Sequence, residues 1–318
     1  MTGHQEGARL DRPRTLAFVG VTASASSIND VFPRWARLLG LGPVRFEPLD
    51  LPLDADAATY RAVVRSIRDD PAYCGALVTS HKVRVLRAAR DLFDDLDPDA
   101  RLCGEVSCIA RRDGRLLGHA KDPITSGRAL DDLLAADHFA ASGGEVVCLG
   151  AGGSGLAIAV HLLLGRAGDR PARITLVDTD RARLADCEAA LQGIAAARGR
   201  VDLVASDGPD DSDAVVTRAA PGSLIVNATG LGKDRPGSPL GDAAAFPRRA
   251  VVWELNYRGA RPFLAQARAQ ADAARLVVAD GWRYFIHGWS EVIAEVFGID
   301  LTPAVLDALS DEAERLRA

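Results

Sequence analysis

The sequence predicts an α/β protein of two domains. From Thr15 onward, short apolar runs rich in Val, Ile and Leu alternate with longer amphipathic stretches, the pattern of strand–helix units around a parallel sheet. The chain has 318 residues, which is enough for two domains that each bury a core. A glycine-rich segment at 150–155 lies between an apolar run and a helical pattern, where a second series of units begins.

The first series of strands and helices lies before residue 120. We predict strands at 16–21, 44–48 and 75–78 and helices around 31–39 and 57–67. Asn29 and Asp30 are candidate caps of the first helix, because their side chains can accept hydrogen bonds from the unpaired amides of a first turn. The runs 107–112 and 115–119 flank Asp113-Gly114, a pair typical of two-residue hairpins, so an antiparallel pair is expected there.

The second series predicts a complete sheet. Its strands are expected at 145–149, 173–177, 200–205, 224–228, 251–255 and 276–278. Six strands with intervening helices match a Rossmann-type, doubly wound dinucleotide-binding domain. The runs 291–297 and 303–317 are predicted helices that have no further strand to cover. We therefore expect one domain at 1–124, completed by 283–318, and a dinucleotide-binding domain at 125–282.

Composition argues against several classes of partner. The formal net charge is -5, so no sequence-wide positive field exists to attract nucleic acid or an anionic membrane. A hydrophobic content of 48% with 25% charged residues is typical of folded, soluble proteins. The apolar stretch 146–164 contains the glycine-rich segment, which would break a lipid-exposed helix. We expect neither nucleic acid nor a membrane as a partner.

Cysteine usage and the N-terminus predict a cytoplasmic protein. The five cysteines form an odd set without a Cys-x-x-Cys pair, as expected for reduced thiols. Histidine and cysteine show no cluster at metal-ligand spacing, so no metal is expected. Residues 1–14 have no apolar core of a signal peptide, and they are interpreted as a mobile polar tail.

The glycine-rich segment carries the main functional signal. Gly150 permits a tight turn, Gly152 lets the backbone approach a pyrophosphate, and Gly155 lets the following helix lie close to the strand. Gly153 and Ser154 begin that helix, whose N-terminus offers unpaired N–H groups and a positive dipole end. A preceding strand, a following helix and an acid after the next strand complete the context of a dinucleotide site. The alternative is a glycine-rich turn that only connects strand and helix.

Asp178 ends the next apolar run and bears on the choice of cofactor. A carboxylate there accepts hydrogen bonds from ribose hydroxyls and repels a 2′-phosphate, so NAD is favoured over NADP. Arg181 and Arg183 follow closely and could instead meet that phosphate. The alternative for both arginines is a solvated helix face.

Six short motifs follow one another along the chain between Thr15 and about Gly298. They are GALVTSHK (75–82), GEVS (104–107), GHAKD (118–122), NATGLG (227–232), Asn256-Tyr257 and DGWRYFIHG (280–288). The ordered set resembles the shikimate and quinate dehydrogenase family, whose motifs read GxNVT…K, GAVN, GxNTD, NATxxG, a tyrosine after the fifth strand, and DGxxMLxxQ. The resemblance implies that the domain formed by 1–124 and 283–318 binds the substrate.

The resemblance also implies a catalytic pair, Lys82 and Asp122. Lys82 begins the predicted helix 82–89, whose positive end disfavours an ammonium, lowers its pKa and allows proton exchange near neutral pH. Asp122 would orient the amine and a substrate hydroxyl. The implied substrate contacts are Ser27, Asn29, Thr79, Ser107, Tyr257, His287 and Gly288. The implied cofactor contacts beyond the glycine-rich segment and Asp178 are Asn227, Thr229 and Gly281.

Departures from the family pattern fall on the substrate contacts. Asn29 stands, with Ser27, where a serine pair binds the substrate carboxylate. Ser107, Ala120 and Gly288 replace side chains that carry amides. Because buried polar groups discriminate strongly between substrates, recognition of shikimate itself should be weak. Candidate replacements are His81, Arg283, His287 and Trp289, and for each the alternative is a packed or surface residue.

These observations lead to one main functional hypothesis and two alternatives. The main one is an NAD-dependent dehydrogenase acting on a ring carbinol or ketone of a polyhydroxylated cyclohexane or cyclohexene other than shikimate. A non-catalytic NAD-binding sensor and a dehydrogenase of an amino analogue are the alternatives. The expected partner is a small-molecule substrate, and a homodimer is left open as the assembly.

Overall fold

The computed structural model describes residues 13–166, 168–233 and 235–317 and confirms an α/β protein with two sheets. The chain divides into two compact units. The first comprises the described residues up to Asp97, with 106–119 and the chain from Val292 onward, and the second comprises 98–105 and 120–291. The predicted polar tail falls mostly on residues 1–12, outside the described part.

These boundaries differ from 124/125 and 282/283, the positions expected from the sequence. The segment 98–105 belongs to the second unit because Cys103 packs into that unit's core. The last boundary falls inside a continuous helix, Trp282–Phe297, of which only 291–297 was predicted. Phe285, Ile286 and Trp289 are buried at helical spacing, so the helical pattern begins well before the predicted start.

The strands confirm both predicted series. In the first unit they are β1 (Arg14–Gly20), β2 (Val44–Asp50), β3 (Tyr73–Val78), β4 (Asp95–Leu96), β5 (Cys108–Arg112) and β6 (Arg115–His119). In the second unit they are β7 (Val146–Leu149), β8 (Ile174–Asp178), β9 (Val201–Ala205), β10 (Leu224–Asn227), β11 (Val251–Glu254) and β12 (Val277–Ala279).

Twelve α-helices are present in the described residues. They are α1 (Ile28–Leu38), α2 (Ala57–Asp69), α3 (Lys82–Ala89), α4 (Pro98–Cys103), α5 (Asp122–Leu133), α6 (His138–Ser142), α7 (Gly153–Leu164), α8 (Arg181–Leu191), α9 (Pro209–Arg218), α10 (Pro262–Ala274), α11 (Trp282–Phe297) and α12 (Pro303–Arg317). The predicted ranges of α3 and α12 are confirmed.

The first unit is built on a mixed sheet of order β2-β1-β3-β5-β6-β4. Strand β1 pairs in parallel with β2 and β3, whereas β5 is antiparallel to β3 and β6. Asp113 and Gly114 have φ of 53° and 76° in the β5–β6 turn, which confirms the predicted hairpin. Helices α1 and α12 pack together, and Trp35 Nε1 donates to the Leu309 carbonyl at 2.9 Å.

The second unit is a Rossmann-type domain. Its sheet is parallel throughout and has the order β12-β11-β10-β7-β8-β9. Side chains of β7 alternate between two cores: Val146 and Cys148 pack on one face, Val147 and Leu149 on the other. Burial on both faces is what a central parallel strand with helices on each side requires.

The cysteines contribute to packing. All five are free; four are buried and Cys74 is half-buried. Burial raises the pKa of Cys74 to about 11 and that of Cys187 to about 12, so both are thiols at neutral pH. Within the described ranges, no three or more His, Cys, Asp or Glu side chains come together as metal ligands would. None of the helices described is both long and apolar enough to traverse a bilayer.

Candidate active site

The glycine-rich loop lies between β7 and α7 and is shaped by close backbone contacts. Gly150 has φ of 108°, and a Cβ on it would lie 2.7–2.8 Å from the backbone of Ala228 and Thr229. A Cβ on Gly155 would lie 2.0 Å from the Gly150 carbonyl oxygen. By contrast, a Cβ on Gly152 would meet nothing within 4 Å. The loop therefore lies against the turn after β10 at Gly150 and against its own backbone at Gly155, and it leaves open space at Gly152, as a pyrophosphate site requires.

The first turn of α7 also meets a buried carboxylate. Glu105 is fully buried, and a Cβ on Gly153 would lie 2.0 Å from Glu105 Oε2. Only glycine fits there without displacing the glutamate. The positive end of the α7 dipole favours this negative charge, as it would favour a phosphate.

Asp178 lies at the carboxyl end of β8, as predicted, but its carboxylate is already hydrogen-bonded. Oδ2 accepts from the Ala151 amide at 2.8 Å and Oδ1 from the Asp180 amide at 2.9 Å. Asp178 thus ties the glycine-rich loop to the β8–α8 turn. Arg183 lies 3.7 Å from Asp178 Oδ2 and 3.6 Å from Asp180 Oδ2, so its charge is offset by two carboxylates.

Asn227 and Thr229 form the turn after β10. Asn227 Oδ1 accepts from the Thr229 amide at 3.1 Å and from its hydroxyl at 2.7 Å. Asn227 Nδ2 donates at 2.8 Å to Glu254, a fully buried residue at the end of β11 whose other oxygen accepts from the Asn256 amide at 2.8 Å. Burial raises the pKa of Glu254 to about 7, although these hydrogen bonds and Arg261 act to lower it. Glu254 supports this turn and was not predicted from the sequence.

Gly281 brings the start of α11 against the chain that follows β11. A Cβ on Gly281 would lie 1.9 Å from the Leu255 carbonyl oxygen, so only glycine permits this approach. The ring of Tyr257 lies 4.4 Å from that of Phe285 and 5.8 Å from that of Trp282, centroid to centroid. Tyr257 is therefore held by the first turn of α11.

Asp122 is buried at the first residue of α5. Its Oδ2 accepts from the Tyr284 hydroxyl at 3.0 Å and from the Ser154 hydroxyl at 3.4 Å. Helices α5 and α7 pack closely: a Cβ on Gly127 would lie 2.2 Å from the His161 ring. This packing brings the N-termini of two helices to one carboxylate, and both positive ends favour its charge.

Asp132 joins α5 to α11 through two other predicted residues. Its Oδ2 accepts from Arg283 Nε at 2.8 Å and faces His287 Nε2 at 2.9 Å. Burial acts to raise the pKa of Asp132, but the bonds from His287 and Arg283 outweigh it, so the pKa lies below its ordinary value. Within the described residues, the buried His287 Nδ1 has no hydrogen-bond partner. Gly288 follows on the same helix and supplies no side chain.

In the first unit, Thr79 and Lys82 follow β3, as the motif resemblance requires. The Thr79 amide donates to the Val19 carbonyl at 2.9 Å, and the Lys82 amide donates to the Thr79 carbonyl at 3.2 Å. Lys82 is the first residue of α3 and is half-buried. Ser107 is buried, and its carbonyl accepts from the Val78 amide at 2.9 Å. Thr79, Lys82 and Ser107 therefore lie around the carboxyl end of β3.

The β1–α1 loop corrects the predicted role of Asn29 as a cap. Helix α1 begins at Ile28 with Ser27 at the N-cap, so Asn29 and Asp30 are already helical. Asn29 Nδ2 donates to three carbonyls, those of Ala23, Ser24 and Ser26, at 2.8–3.1 Å. The amide donors of Asn29 are engaged by the loop, and they do not point outward as substrate donors.

His81 is a packed residue. Its Nε2 lies 3.1 Å from the Leu51 carbonyl, which can only accept, so Nε2 carries the proton and Nδ1 accepts from the Tyr60 hydroxyl at 2.8 Å. Burial lowers the pKa of His81. Trp289 is also buried, on α11. For both residues, the structure favours the packing alternative.

Proteins of known function are similar in sequence to this chain. A shikimate dehydrogenase (NADP(+)) of Symbiobacterium thermophilum is 32% identical over 198 residues, which are 61% of this chain and 62% of that protein. One of the same name from an Arthrobacter species is 36% identical over 235 residues, 72% of this chain and 68% of that protein. The first of these matches thus spans less than two thirds of the relative's length. No protein-family model matches the chain.

Solved structures establish the fold over nearly the whole chain. The ligand-free 5-ketofructose reductase of a Gluconobacter species has a TM-score of 0.66 at 22% identity and covers 96% of this chain and 99% of its own. The quinate dehydrogenase of Corynebacterium glutamicum, in complex with NAD, has a TM-score of 0.65 at 20% identity and covers 94% and 98%.

Proposed function

Because the chain belongs to the shikimate and quinate dehydrogenase family, we propose that it is an NAD(P)-dependent oxidoreductase acting on a ring carbinol or ketone. The observation that carries the proposal is the 3.4 Å contact between Ser154 Oγ and Asp122 Oδ2. Ser154 belongs to the helix after the glycine-rich loop, and Asp122 belongs to the predicted catalytic pair. A carboxylate at a dinucleotide-type loop is the arrangement that coupled hydride and proton transfer needs.

Lys82 and Asp122 divide the proton chemistry in this proposal. When bound, the dinucleotide accepts or donates the hydride. Lys82 takes the proton from the ring hydroxyl during oxidation and returns it during reduction. Asp122 accepts a hydrogen bond from the substrate and orients the reacting carbon. The N-terminus of α7, with the open space at Gly152, would hold the pyrophosphate.

The proposed substrate is a polyhydroxylated ring other than shikimate. Asn29 directs its amide donors into its own loop, and Ala120 and Gly288 carry no polar side-chain group. The serine pair that binds a substrate carboxylate in the family pattern is therefore altered at Asn29, and the side-chain amides of that pattern are absent at Ala120 and Gly288. The similarly folded 5-ketofructose reductase acts, by its name, on a polyhydroxy ketone, which agrees with a neutral substrate.

A turnover screen tests this proposal. Cyclic polyols and their ketones, together with shikimate and quinate, are offered with NAD⁺, NADP⁺ and their reduced forms. We expect turnover of a neutral ring polyol or ketone and a kcat/KM for shikimate below about 10⁴ M⁻¹s⁻¹. Efficient shikimate oxidation would contradict the substrate class. Tight cofactor binding with no turnover would favour the non-catalytic sensor.

For the cofactor we propose a preference for NAD. Asp178 brings negative charge to the end of β8, where a 2′-phosphate would lie, and Arg183 is already paired with Asp178 and Asp180. The two curated relatives carry NADP(+) in their names, so the proposed preference differs from the cofactor that these names give. We expect at least about 10-fold tighter NAD binding, about 1.4 kcal/mol.

Fluorescence titration with both cofactors at one salt concentration measures this preference. Asp178→Ser should bring the Kd values for NAD and NADP closer together. Asp180→Ser removes the same charge from an exposed site and should change the ratio of the two Kd values less. Equal affinities, or tighter NADP, in the unaltered chain would show that the arginines determine the choice.

A further inference from the structure

We infer that Tyr284 is a positioning residue for Asp122. This inference rests on the proposed dehydrogenase function and deepens it, because it adds a hydroxyl that acts through the catalytic carboxylate. No motif assigns a role to Tyr284, and the sequence alone does not bring it to Asp122. The two residues are 162 positions apart, on α11 and α5.

The contact has the geometry of a true hydrogen bond. Tyr284 Oη donates to Asp122 Oδ2 at 3.0 Å, and Ser154 donates to the same oxygen at 3.4 Å. Asp122 is only 7% exposed, so water competes little for this oxygen. Two hydroxyl donors on one oxygen restrict rotation of the carboxylate about its terminal bond. A carboxylate held in one plane presents a fixed acceptor direction to a substrate hydroxyl.

Tyr284 is itself held by rigid elements. Its ring meets that of Trp253 edge to face, at 5.7 Å between centroids and 79° between planes. Trp253 is buried on β11, in the parallel sheet. The first turn of α11 is fixed by the close approach of Gly281 to Leu255. The phenol oxygen is therefore positioned by a strand, a helix and a glycine contact.

Tyr284 also departs from the family motif. The motif DGxxMLxxQ has methionine at the position of Tyr284, and a thioether cannot donate a hydrogen bond. This chain therefore adds a donor beside Asp122 while its substrate amides are lost at Ala120 and Gly288. The added donor maintains the orientation of Asp122 for a substrate that offers different groups.

A double-mutant cycle tests the inference at saturating NAD⁺ and NADP⁺ in turn. The probe is shikimate or, if shikimate is not turned over, the compound of the screen with the highest kcat/KM. Tyr284→Phe keeps the ring against Trp253 and removes only the hydroxyl. We expect kcat to fall about 10-fold while KM and the cofactor Kd change less than about twofold. In an Asp122→Asn background, Tyr284→Phe should cause less than a further twofold loss, because the two residues act as one unit.

Tyr73→Phe is the matched control. The Tyr73 hydroxyl also donates to a carboxylate, that of Glu47, and lies at the start of β3 in the first unit. Its removal should leave kcat unchanged. An unaltered kcat in Tyr284→Phe, or a full 10-fold loss in the Asp122→Asn background, would overturn the inference alone. If the unaltered chain turns over neither the probe nor any compound of the screen, the proposed function fails and the inference fails with it.

Discussion

The two units each place a loop after a parallel strand and before a helix, and the two loops are stabilised in different ways. The β7–α7 loop takes its shape from glycines that pack against backbone, with open space at Gly152. The β1–α1 loop is held by side chains: Asn29 donates to three of its carbonyls, and Asp50 accepts from the Ser24 amide and hydroxyl. The backbone-shaped loop leaves space for a ligand at Gly152, whereas the side-chain-shaped loop uses its polar groups for internal hydrogen bonds.

The difference bears on how far the contacts of each loop can be predicted from the sequence. A glycine is required by sterics that hold in any homologous loop, so its presence indicates the same geometry. A serine or asparagine side chain has several possible hydrogen-bond partners, and it bonds to the groups that lie nearest. In the β1–α1 loop that partner is the loop itself. Substrate contacts can therefore diverge while the dinucleotide loop stays recognisable.

The largest expected effect is a loss of turnover, with cofactor binding retained, when Lys82 is replaced. Lys82→Met keeps the length of the side chain and removes the amine, so turnover should fall at least about 10³-fold. Cofactor Kd, measured by fluorescence titration, should change less than twofold. Lys82→Arg keeps the charge but does not exchange protons near neutral pH, so it should be nearly as inactive. Substantial activity in either variant would remove Lys82 from proton transfer.

The pH dependence of the free energy of unfolding tests the role of Glu254, which is buried in the second unit. The pKa of Glu254 is raised to about 7 from an ordinary value of 4.5. Between these values the folded state holds a proton that the unfolded chain has released. The contribution of Glu254 to the free energy of unfolding therefore falls as pH rises from about 4.5 to 7, by about 3 kcal/mol in all, and levels off above.

Chemical denaturation at several pH values in this range measures how steeply the free energy of unfolding changes with pH. Glu254→Gln cannot titrate, so its stability should fall less steeply with pH than that of the unaltered chain, although its amide loses one acceptor. Glu188→Gln, at an exposed position on α8, should leave the slope unchanged. Identical slopes for Glu254→Gln and the unaltered chain would contradict the raised pKa.

The glycine loop can be broken at two positions with different outcomes. Gly155→Ala places a methyl 2.0 Å from the Gly150 carbonyl and should reduce the free energy of unfolding by about 2 kcal/mol. Gly152→Ala meets no atom within 4 Å and should leave stability within about 0.5 kcal/mol. Both should weaken cofactor binding, Gly152→Ala because its methyl occupies the pyrophosphate's approach. Thermal unfolding with and without NAD separates the two outcomes, and strong binding by Gly152→Ala would contradict the proposed site.

The smallest expected effect concerns the side-chain-shaped loop. Asn29→Ala removes the three bonds to the Ala23, Ser24 and Ser26 carbonyls and should cost about 1.5 kcal/mol of stability. Asp30→Asn changes the exposed neighbouring residue and should reduce the free energy of unfolding by only about 0.3 kcal/mol. If Asn29→Ala keeps full stability but loses substrate affinity, the side chain binds substrate after all and the contrast between the loops fails.

Much of the fold was predictable because it depends on local pattern. The apolar runs of the second unit predict all six strands, and Asp113-Gly114 predicts its hairpin, since both signals come from residues within one element. Helix α11 begins nine residues before the predicted start at 291, because the buried Phe285, Ile286 and Trp289 extend its apolar face toward the N-terminus. The unit boundary inside that helix has no sequence signal, since the helical pattern continues through it.

The sequence by itself determined the glycine-rich loop, the positions of most strands along the chain and the position of Lys82 at a helix start, because sterics and periodicity act between near neighbours. Tertiary structure alone decided the partners of the polar side chains. Asp122 meets Tyr284 across 162 residues, Asp132 meets His287 across 155, and Asp178 turns back to Ala151. A carboxylate binds whichever donors the packing of helices and strands brings within about 3 Å, and no spacing along the chain records that choice.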